Sequence, residues 1–424
     1  MSMTKEHQIC KVKSFQDRLC LASKANSSRT FGILYDKIYR QEILFEAWKR
    51  VKKNRGSCGV DKVHIRTVIE DIGVDVFLED IRQCLMNEEY TASVIKRVFI
   101  PKDNGAKRPL GIPTLKDRVI QMAVKLVIEP IFEADFADCS YGFRPKRSNQ
   151  QAAGEVHKLV NYNKWVVDVD LKSYFDTIAH DQLMNCVRQR IRDRRLLALI
   201  YQWLKAGILE EGKIRRPESG TVQGGVLSPL LSNIYLHEID KLWCNNQSVR
   251  LIRYADDAVF LCRSEAQANW VIVKLKEQLS ALSLILNEEK TKVCHVRDGF
   301  NFLGFTYKEA YSYSSLKPVR IKFPNPQRVV GMQREIKEAV KEFPLGIHLT
   351  EVIKTINRKL SGWAQYFKVG NSYDAALKLS NYTCLQLRIF WRRRKQRKDI
   401  NGYRKWPNDY FYNKGLHYVP KLLR

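Results

Sequence analysis

Apolar residues recur at helical spacing through positions 35–81, around the glycine-bearing stretch Arg55-Gly-Ser-Cys-Gly-Val-Asp61, which predicts helix, loop, helix. Positions 94–101 then alternate as a strand does, Asp103-Asn-Gly105 supplies turn chemistry, and 108–113 returns as a second strand. This hairpin carries several cations. A helical period covers 117–136, and shorter β-rich runs follow at 165–171 and 251–262, so strands and helices alternate in a mixed α/β core. Beyond Pro326 the period changes, and 329–343, 350–366 and 373–391 read as amphipathic helices before a basic, aromatic tail. No internal repeat or low-complexity linker marks a boundary, so domain limits rest on these changes of period.

Charge narrows the choice of partner. Against 45 Asp and Glu the chain sets 73 Lys and Arg, a formal net charge of +28. Such a surface attracts a polyanion and releases its counterions, so nucleic acid is the first partner to consider; ribosomal and membrane-surface proteins carry similar excesses. With 424 residues, 45% of them hydrophobic, the chain can bury two or three subdomain cores and is not a disordered polymer. Its ten cysteines are scattered singly, without a Cys-x-x-Cys pair or a His set at zinc-finger spacing, and read as reduced thiols. No stretch approaches the roughly 18 apolar residues that would span a bilayer. A cytosolic protein with no membrane partner is expected.

The candidate chemistry lies in carboxylates. In Val166-Val-Asp-Val-Asp-Leu171 a strand's period of two puts Asp168 and Asp170 on one face and Val167 and Val169 on the other. Two apolar runs in 251–262 flank Asp256 and Asp257, as in a hairpin whose tip projects adjacent carboxylates. Bare neighbouring charges repel. Two divalent ions held about 4 Å apart would remove that cost, activate an attacking hydroxyl and steady a leaving pyrophosphate, and they need hard oxygen ligands from more than one segment. Mg2+ suits such a site, with Mn2+ as a substitute. For Asp256 and Asp257 taken alone, a solvated turn is the plainer reading.

The neighbouring blocks decide between them. Asp170-Leu-Lys-Ser-Tyr-Phe-Asp176, Gln223-Gly-Gly-Val-Leu-Ser-Pro229 and Tyr254-Ala-Asp-Asp257 resemble the palm motifs of a reverse transcriptase, specifically of the bacterial group II intron-encoded reverse transcriptase/maturase family. Gly56-Ser-Cys-Gly-Val-Asp61 resembles that family's N-terminal extension block. Ile100-Pro-Lys102, Arg108-Pro-Leu-Gly-Ile-Pro113 and Tyr141-Gly-Phe-Arg-Pro145 resemble its fingers. Positions 284–292 and Phe302-Leu-Gly-Phe305 resemble the last palm blocks, and Asn357-Arg-Lys-Leu-Ser-Gly-Trp-Ala-Gln-Tyr366 resembles the thumb or maturase signature. The resemblance implies an α+β, right-hand polymerase fold: fingers, a palm with an antiparallel sheet, and a helical thumb. It divides the chain into N-terminal extension and fingers (1–165), palm with fingers-associated helices (166–315), helical thumb or maturase domain (316–385) and a basic nucleic-acid-binding segment (386–424).

Residue by residue, the resemblance makes Asp170, Asp256 and Asp257 the catalytic, metal-holding carboxylates, with the Leu171 carbonyl a further ligand. Asp168 is the runner-up: it shares the strand face, but the family pattern counts back from the aromatic pair to Asp170. Asp176 is read as a cap for the following helix. Phe175 aligns with the bulky side chain beneath the incoming sugar that excludes a 2′-hydroxyl, which makes the substrate a dNTP. Gln223 and Gly224 would line the nucleotide pocket, the glycine because backbone must approach base or sugar closely. Lys102 and Arg108 suit the triphosphate, Arg offering a planar fork. Lys290 matches a basic residue that could protonate departing pyrophosphate. Phe302, Leu303, Gly304 and Phe305 would form the primer grip, with core packing the alternative for the aromatics.

Trp363 and Tyr366, at helical spacing, read as core. Farther on, Arg388, Arg392, Arg393, Arg394, Lys395, Arg397 and Lys398 precede Trp406, Tyr410 and Tyr412, a mixture suited to phosphate contact and base stacking. Paired cysteines and a His-Asn-His site are not found beyond them, so the resemblance points to the endonuclease-lacking type, which takes its primer from elsewhere. The implied function is RNA-directed DNA polymerisation, with intron RNA bound to assist splicing, and retrohoming into a DNA target. The implied partners are RNA template, intron RNA, DNA primer or target and dNTPs, in a bacterial cytosol and near the nucleoid. A domesticated reverse transcriptase in DNA repair or phage defence stays open. A binding-only maturase also stays open, although a scaffold gains nothing from clustered carboxylates.

The charge carries its own test. Nucleic-acid affinity is expected to fall linearly with salt on a log–log plot, by a slope of about 0.9 per duplex phosphate neutralised. Filter binding across a salt series measures it, and a flat response would contradict the electrostatic reading.

Overall fold

A helix with apolar residues at most positions on every side cannot lie on a surface. In the computed structural model, which describes residues 5–101, 105, 107–312, 315–395 and 402–424, the helix Leu115–Glu133 is accordingly a buried axis. Lys125 and Glu129, one turn apart along it, pair at 3.5 Å. Thr114 caps its first turn by accepting from the Asp117 N–H at 3.1 Å. Buried Asp117 in turn accepts from the Tyr90 hydroxyl, which accepts from Trp203 Nε1 at 2.8 Å, so no member of this interior chain is left unmet. The helices Lys5–Ala25 and Gln41–Lys53 pack on the axis, the latter through Ile43, Leu44, Ala47, Trp48 and Val51, a stripe at helical spacing.

The chain forms two units: Met1–Arg147 with Val169–Ala258 and Trp270–Thr291, and Ser148–Asp168 with Val259–Asn269 and Lys292–Arg424. Its strands are β1 (Ile95–Pro101), β2 (Lys107–Ile112), β3 (Trp165–Val169), β4 (Ile208–Glu210), β5 (Lys213–Arg215) and β6 (Arg250–Tyr254). After them come β7 (Asp257–Cys262), β8 (Lys292–His295), β9 (Phe300–Phe302), β10 (Phe305–Tyr311) and β11 (Pro318–Pro324). They build sheets of order β2-β1-β4-β5, β6-β7-β3-β8 and β11-β10-β9. The expected hairpin is β1 and β2, antiparallel with Val98 opposite Leu110. The β4–β5 hairpin that joins it, with β4 parallel to β1, was not expected, because three-residue strands show no readable alternation.

In the first unit one carboxylate organises two chain segments. Buried Asp193 accepts from the N–H groups of Leu34 (2.7 Å) and Tyr35 (2.8 Å) through one oxygen. Through the other it caps the helix Arg194–Leu204, accepting from Arg195 (3.1 Å) and Leu196 (3.2 Å). Burial pushes its pKa up, but the N–H groups of Leu34, Tyr35 and Leu196 outweigh it and leave the carboxyl below its ordinary value.

In the second unit the expected helices form as Pro326–Glu342, Leu349–Phe367 and Tyr373–Arg394. The boundary expected at 385/386 does not. The helix Tyr373–Arg394 passes through it unbroken, and the later helices Asn408–Asn413 and Val419–Leu422 fold back onto that helix, because Phe411, Leu416 and Val419 need a core to bury against. All ten cysteines are free thiols, and among the described residues no helix is long and apolar enough to cross a membrane.

Asp193→Ala is expected to cost roughly 3 kcal/mol, combining the loss of a helix cap with buried N–H groups left unmet. Thermal melts would show it. Since the folded-state pKa is lowered, the gap between variant and wild type is full at neutral pH and closes as pH falls through that value.

Candidate active site

Asp170 is the first residue after β3, and a single segment addresses it from one side. The N–H of Asn287 donates to the Asp170 carbonyl at 2.8 Å, and the N–H of Lys172 donates to the Ile285 carbonyl at 2.9 Å. The antiparallel bridge so formed pairs Leu171 with Leu286 and spends the carbonyl of 170 and the N–H of 172, which turns the Leu171 carbonyl to the other side. Asn287 Nδ2 also donates to Asp170 Oδ2 at 2.8 Å, and Lys290 Nζ lies 3.6 Å from that oxygen.

Asp256 and Asp257 sit at the turn between β6 and β7. The connection is two residues, Ala255 and Asp256, and Ala255 is left-handed (φ 59°), as tight hairpin turns that match strand twist require at their first position. What holds an alanine there is a buried arginine. Arg253, inside β6, pairs with buried Asp240 (Nε to Oδ1 2.7 Å), donates to Asn233 Oδ1 at 3.0 Å, and donates to the Ala255 carbonyl at 2.8 Å. Asn233 Nδ2 donates to the Gly142 carbonyl at 2.8 Å, while Tyr141 and Cys139 exchange backbone hydrogen bonds with Arg253, each 2.8 Å. A Cβ on Gly142 would stand 2.2 Å from the Ala255 nitrogen. Sequence reasoning missed Asn287, Arg253, Asp240, Asn233 and the reason for Gly142. One signal was available: a charge inside the apolar run Leu251-Ile-Arg-Tyr must find a buried partner, and Asp240 is the acid on the buried face of the helix Ser228–Trp243.

The two carboxylate sites feel each other. Half-buried Asp256 has its pKa raised, chiefly by burial and further by the charge of Asp170, against the lowering pull of Arg108 from β2 and of Arg253. Asp257 is exposed at the start of β7. Among the described residues no three His, Cys, Asp or Glu side chains close into a ready-made metal cage. A hard divalent ion needs none: it binds through one or two carboxylates, keeps waters and takes substrate phosphate oxygens. The donor set fits such an ion, because Asp256 is a carboxylate whose surroundings disfavour its charge until a cation arrives.

The first unit also holds Arg108, Phe175, Gln223 and Gly224. Phe175 is half-buried on the short helix Tyr174–Thr177, edge-on to Tyr174 at 5.2 Å, after left-handed Ser173 (φ 48°). The Phe175 carbonyl accepts from Thr221 at 2.7 Å, and that of Gln223 accepts from Gly111 at 2.7 Å. Gly224, exposed, has φ 108°, and a Cβ there would lie 2.5 Å from the Gly111 carbonyl, so the need for glycine comes from β2. Asp176 does not cap the next helix: it lies within Tyr174–Thr177, and His180–Arg188 starts at Ala179 without a side-chain cap. Lys102 lies outside the described residues.

In the second unit Phe302 and Phe305 are buried, and Phe305 stacks on Tyr366 at 6.1 Å and meets Phe367 edge-on at 5.1 Å. These aromatics serve the core, and only the turn Leu303-Gly304 (φ 49° and 74°) is partly open, with the Leu303 carbonyl accepting from the Tyr366 hydroxyl at 3.1 Å. Arg388 is a correction. It is 4% exposed, donates to the Trp406 carbonyl and Asn408 Oδ1 (2.9 Å each) and lies 3.8 Å over the Tyr403 ring, so it ties the tail down instead of facing a phosphate. Arg394 donates to the Ile347 carbonyl. Arg393 and Lys395 are exposed and Arg392 half-exposed, whereas Arg397 and Lys398 lie outside the described residues.

The family described as reverse transcriptase (RNA-dependent DNA polymerase) matches residues 100–307, and that described as group II intron, maturase-specific domain matches 329–411. Protein YkfC of Escherichia coli K12 is 36% identical over 334 residues, spanning 69% of this chain and 87% of YkfC. The group II intron-encoded protein LtrA of Lactococcus lactis is 27% identical across 87% of this chain and 76% of LtrA. A 91 kDa protein in the cob intron of Schizosaccharomyces pombe is 33% identical over 215 residues, half of this chain and 26% of that protein.

Gly142→Ala is expected to push the Ala255–Asp256 turn out of place and to slow primer extension on the order of 100-fold, the cost of a displacement of about 1 Å. Single-turnover extension measures it; a wild-type rate would show that the turn does not depend on this contact.

Proposed function

Because this chain belongs to the group II intron-encoded reverse transcriptase/maturase family, it is an RNA-directed DNA polymerase that acts in intron splicing and mobility, and we propose that its active centre is formed by Asp170, Asp256 and Asp257. Enzymes of this family are divalent-metal-dependent nucleotidyltransferases with intron RNA among their nucleic-acid ligands. The observation that carries the assignment is that β3, which ends one residue before Asp170, is the sheet neighbour of β7, which begins at Asp257, and that the charges of Asp170 and Arg108 both reach Asp256.

In this reading Mg2+ is the metal, as two ions, with Mn2+ able to replace it. Asp170, Asp256, Asp257 and the Leu171 carbonyl would hold it, and when bound it would favour the ionised primer hydroxyl and offset charge on the triphosphate. The substrates are dNTPs, copied from an RNA template onto a DNA primer or target. Arg108, exposed on β2, gives a planar, permanently charged fork for triphosphate oxygens. Lys102 follows in sequence from β1 and is assigned the same task. Phe175 offers a partly exposed ring beside the carboxylates in sequence, and a ring under C2′ of the sugar excludes a hydroxyl there by volume alone. The loop bearing Gln223 and Gly224 is fixed to β2 through Gly111, which couples the floor of the nucleotide site to the strand that carries Arg108. The Leu303-Gly304 turn would steady the primer end. Exposed Arg393 and Lys395, with Arg392, would contact RNA phosphates.

Asp256→Ala is expected to abolish extension on an RNA template with Mg2+ while leaving RNA affinity within about twofold, since a metal ligand is lost and no phosphate contact is. Extension at the wild-type rate would remove Asp256 from the centre. Phe175→Ala is expected to admit ribonucleotides at least tenfold more readily; unchanged dNTP/NTP selectivity would end its role as a gate.

A further inference from the structure

The N–H, the carbonyl and Oδ2 of Asp170 are all met from the segment 285–291. Its carbonyl accepts from the Asn287 N–H at 2.8 Å, its N–H donates to Thr291 Oγ1 at 3.3 Å, and its Oδ2 accepts from Asn287 Nδ2 at 2.8 Å. Asn287 is itself anchored, because its carbonyl accepts from Thr291 at 2.8 Å and Lys290 at 3.3 Å. A carboxylate free to turn about two side-chain bonds is thus fixed through one oxygen by a neutral donor. A cationic donor in the place of Asn287 would orient Asp170 equally well but repel a metal ion, whereas an amide orients it without adding charge.

Lys290 makes the contrast. Its ammonium is 3.6 Å from the same Oδ2, on a side chain that is 69% exposed, so the pair is long, solvated and weak. Of the two glutamates in the segment, Glu288 is taken by Lys276 at 2.7 Å. We infer that Asn287 is the positioning residue for Asp170, and that Lys290 is that carboxylate's resident counter-ion, which leaves when a divalent cation arrives. The inference rests on Asp170 being a metal ligand, as proposed above.

The two residues must then act on metal affinity in opposite directions, which a general loosening of the fold does not do. The test titrates Mn2+, followed by electron paramagnetic resonance, into the full chain without nucleic acid, and measures in parallel the Mn2+ concentration for half-maximal primer extension. Asn287→Ala is expected to weaken Mn2+ binding roughly 10- to 100-fold, the usual cost of removing the group that orients a ligand. Lys290→Met is expected to tighten it, and Lys276→Met, which removes a neighbouring cation paired elsewhere, to leave it unchanged. Unaltered Mn2+ affinity in Asn287→Ala overturns the positioning role, and unaltered or weaker affinity in Lys290→Met overturns the counter-ion role. Should Asn287→Ala fail to fold, Asn287→Leu, which removes the amide donor at nearly the same volume, replaces it with the same criterion. Asp170→Asn separates the two layers: if it leaves Mn2+ binding intact the metal-ligand reading itself fails, and if it alone weakens binding only the present inference does.

Discussion

Two carboxylates held close together in a half-buried setting repel one another, and the first unit is built to withstand that repulsion. Asp256 cannot relax toward water because its turn is held by the Arg253 guanidinium on the Ala255 carbonyl and by Gly142 against the Ala255 nitrogen. Asp170 cannot turn away because Asn287 grips both its backbone and its side chain. A strained arrangement of this kind persists only where the surroundings over-determine it. Burial chiefly, and then the charge of Asp170, raises the pKa of Asp256, and a divalent cation would offset both.

Rigidity comes from buried polar groups whose partners are all supplied by the chain. Arg253 and Asp240 are both buried, and a buried ion pair is costly unless its remaining donors are used; here Asn233 and the turn carbonyl use them. The pair thereby links the helix Ser228–Trp243 to the hairpin that presents Asp256. A hydrophobic pair of similar volume could match the stability but could not hold a carbonyl, so the network serves the geometry of the tip. The same economy appears in the second unit, where Asn357 of the signature helix donates to the Gly415 carbonyl at 2.8 Å and accepts from the His417 N–H at 2.9 Å, stapling the returning tail.

Periodicity made much of this legible. The helices after Pro326 and the cationic hairpin lie within a few residues of where their periods put them, and the strands that lead to Asp170 and flank Asp256 show as short apolar, β-rich runs, β6 and β7 being buried on both faces. What stayed hidden depends on partners distant in sequence. Phe305 and Arg388 look like ligand-binding residues until Tyr366, Phe367, Trp406 and Asn408 are found against them. Gly224 reads as room for a nucleotide until Gly111 is found filling that space. The boundary at 385 failed for a related reason: a basic tail looks like a separate module, but its buried Phe411 and Val419 belong to the preceding helix's core. The family motifs reached the carboxylates. They did not reach Asn287 or Arg253, which act through backbone carbonyls and side-chain amides instead of touching a substrate.

The central claim is that a divalent cation is held jointly by the end of β3 and the tip of the β6–β7 turn. Replacing Mg2+ with Fe2+ and generating hydroxyl radicals at the bound ion cuts the polypeptide where the metal sits. Cleavage is expected at two separate places, around Asp170-Leu171 and around Ala255–Asp257, both suppressed by excess Mg2+. Cleavage confined to one of them, or insensitive to Mg2+, would contradict the shared site.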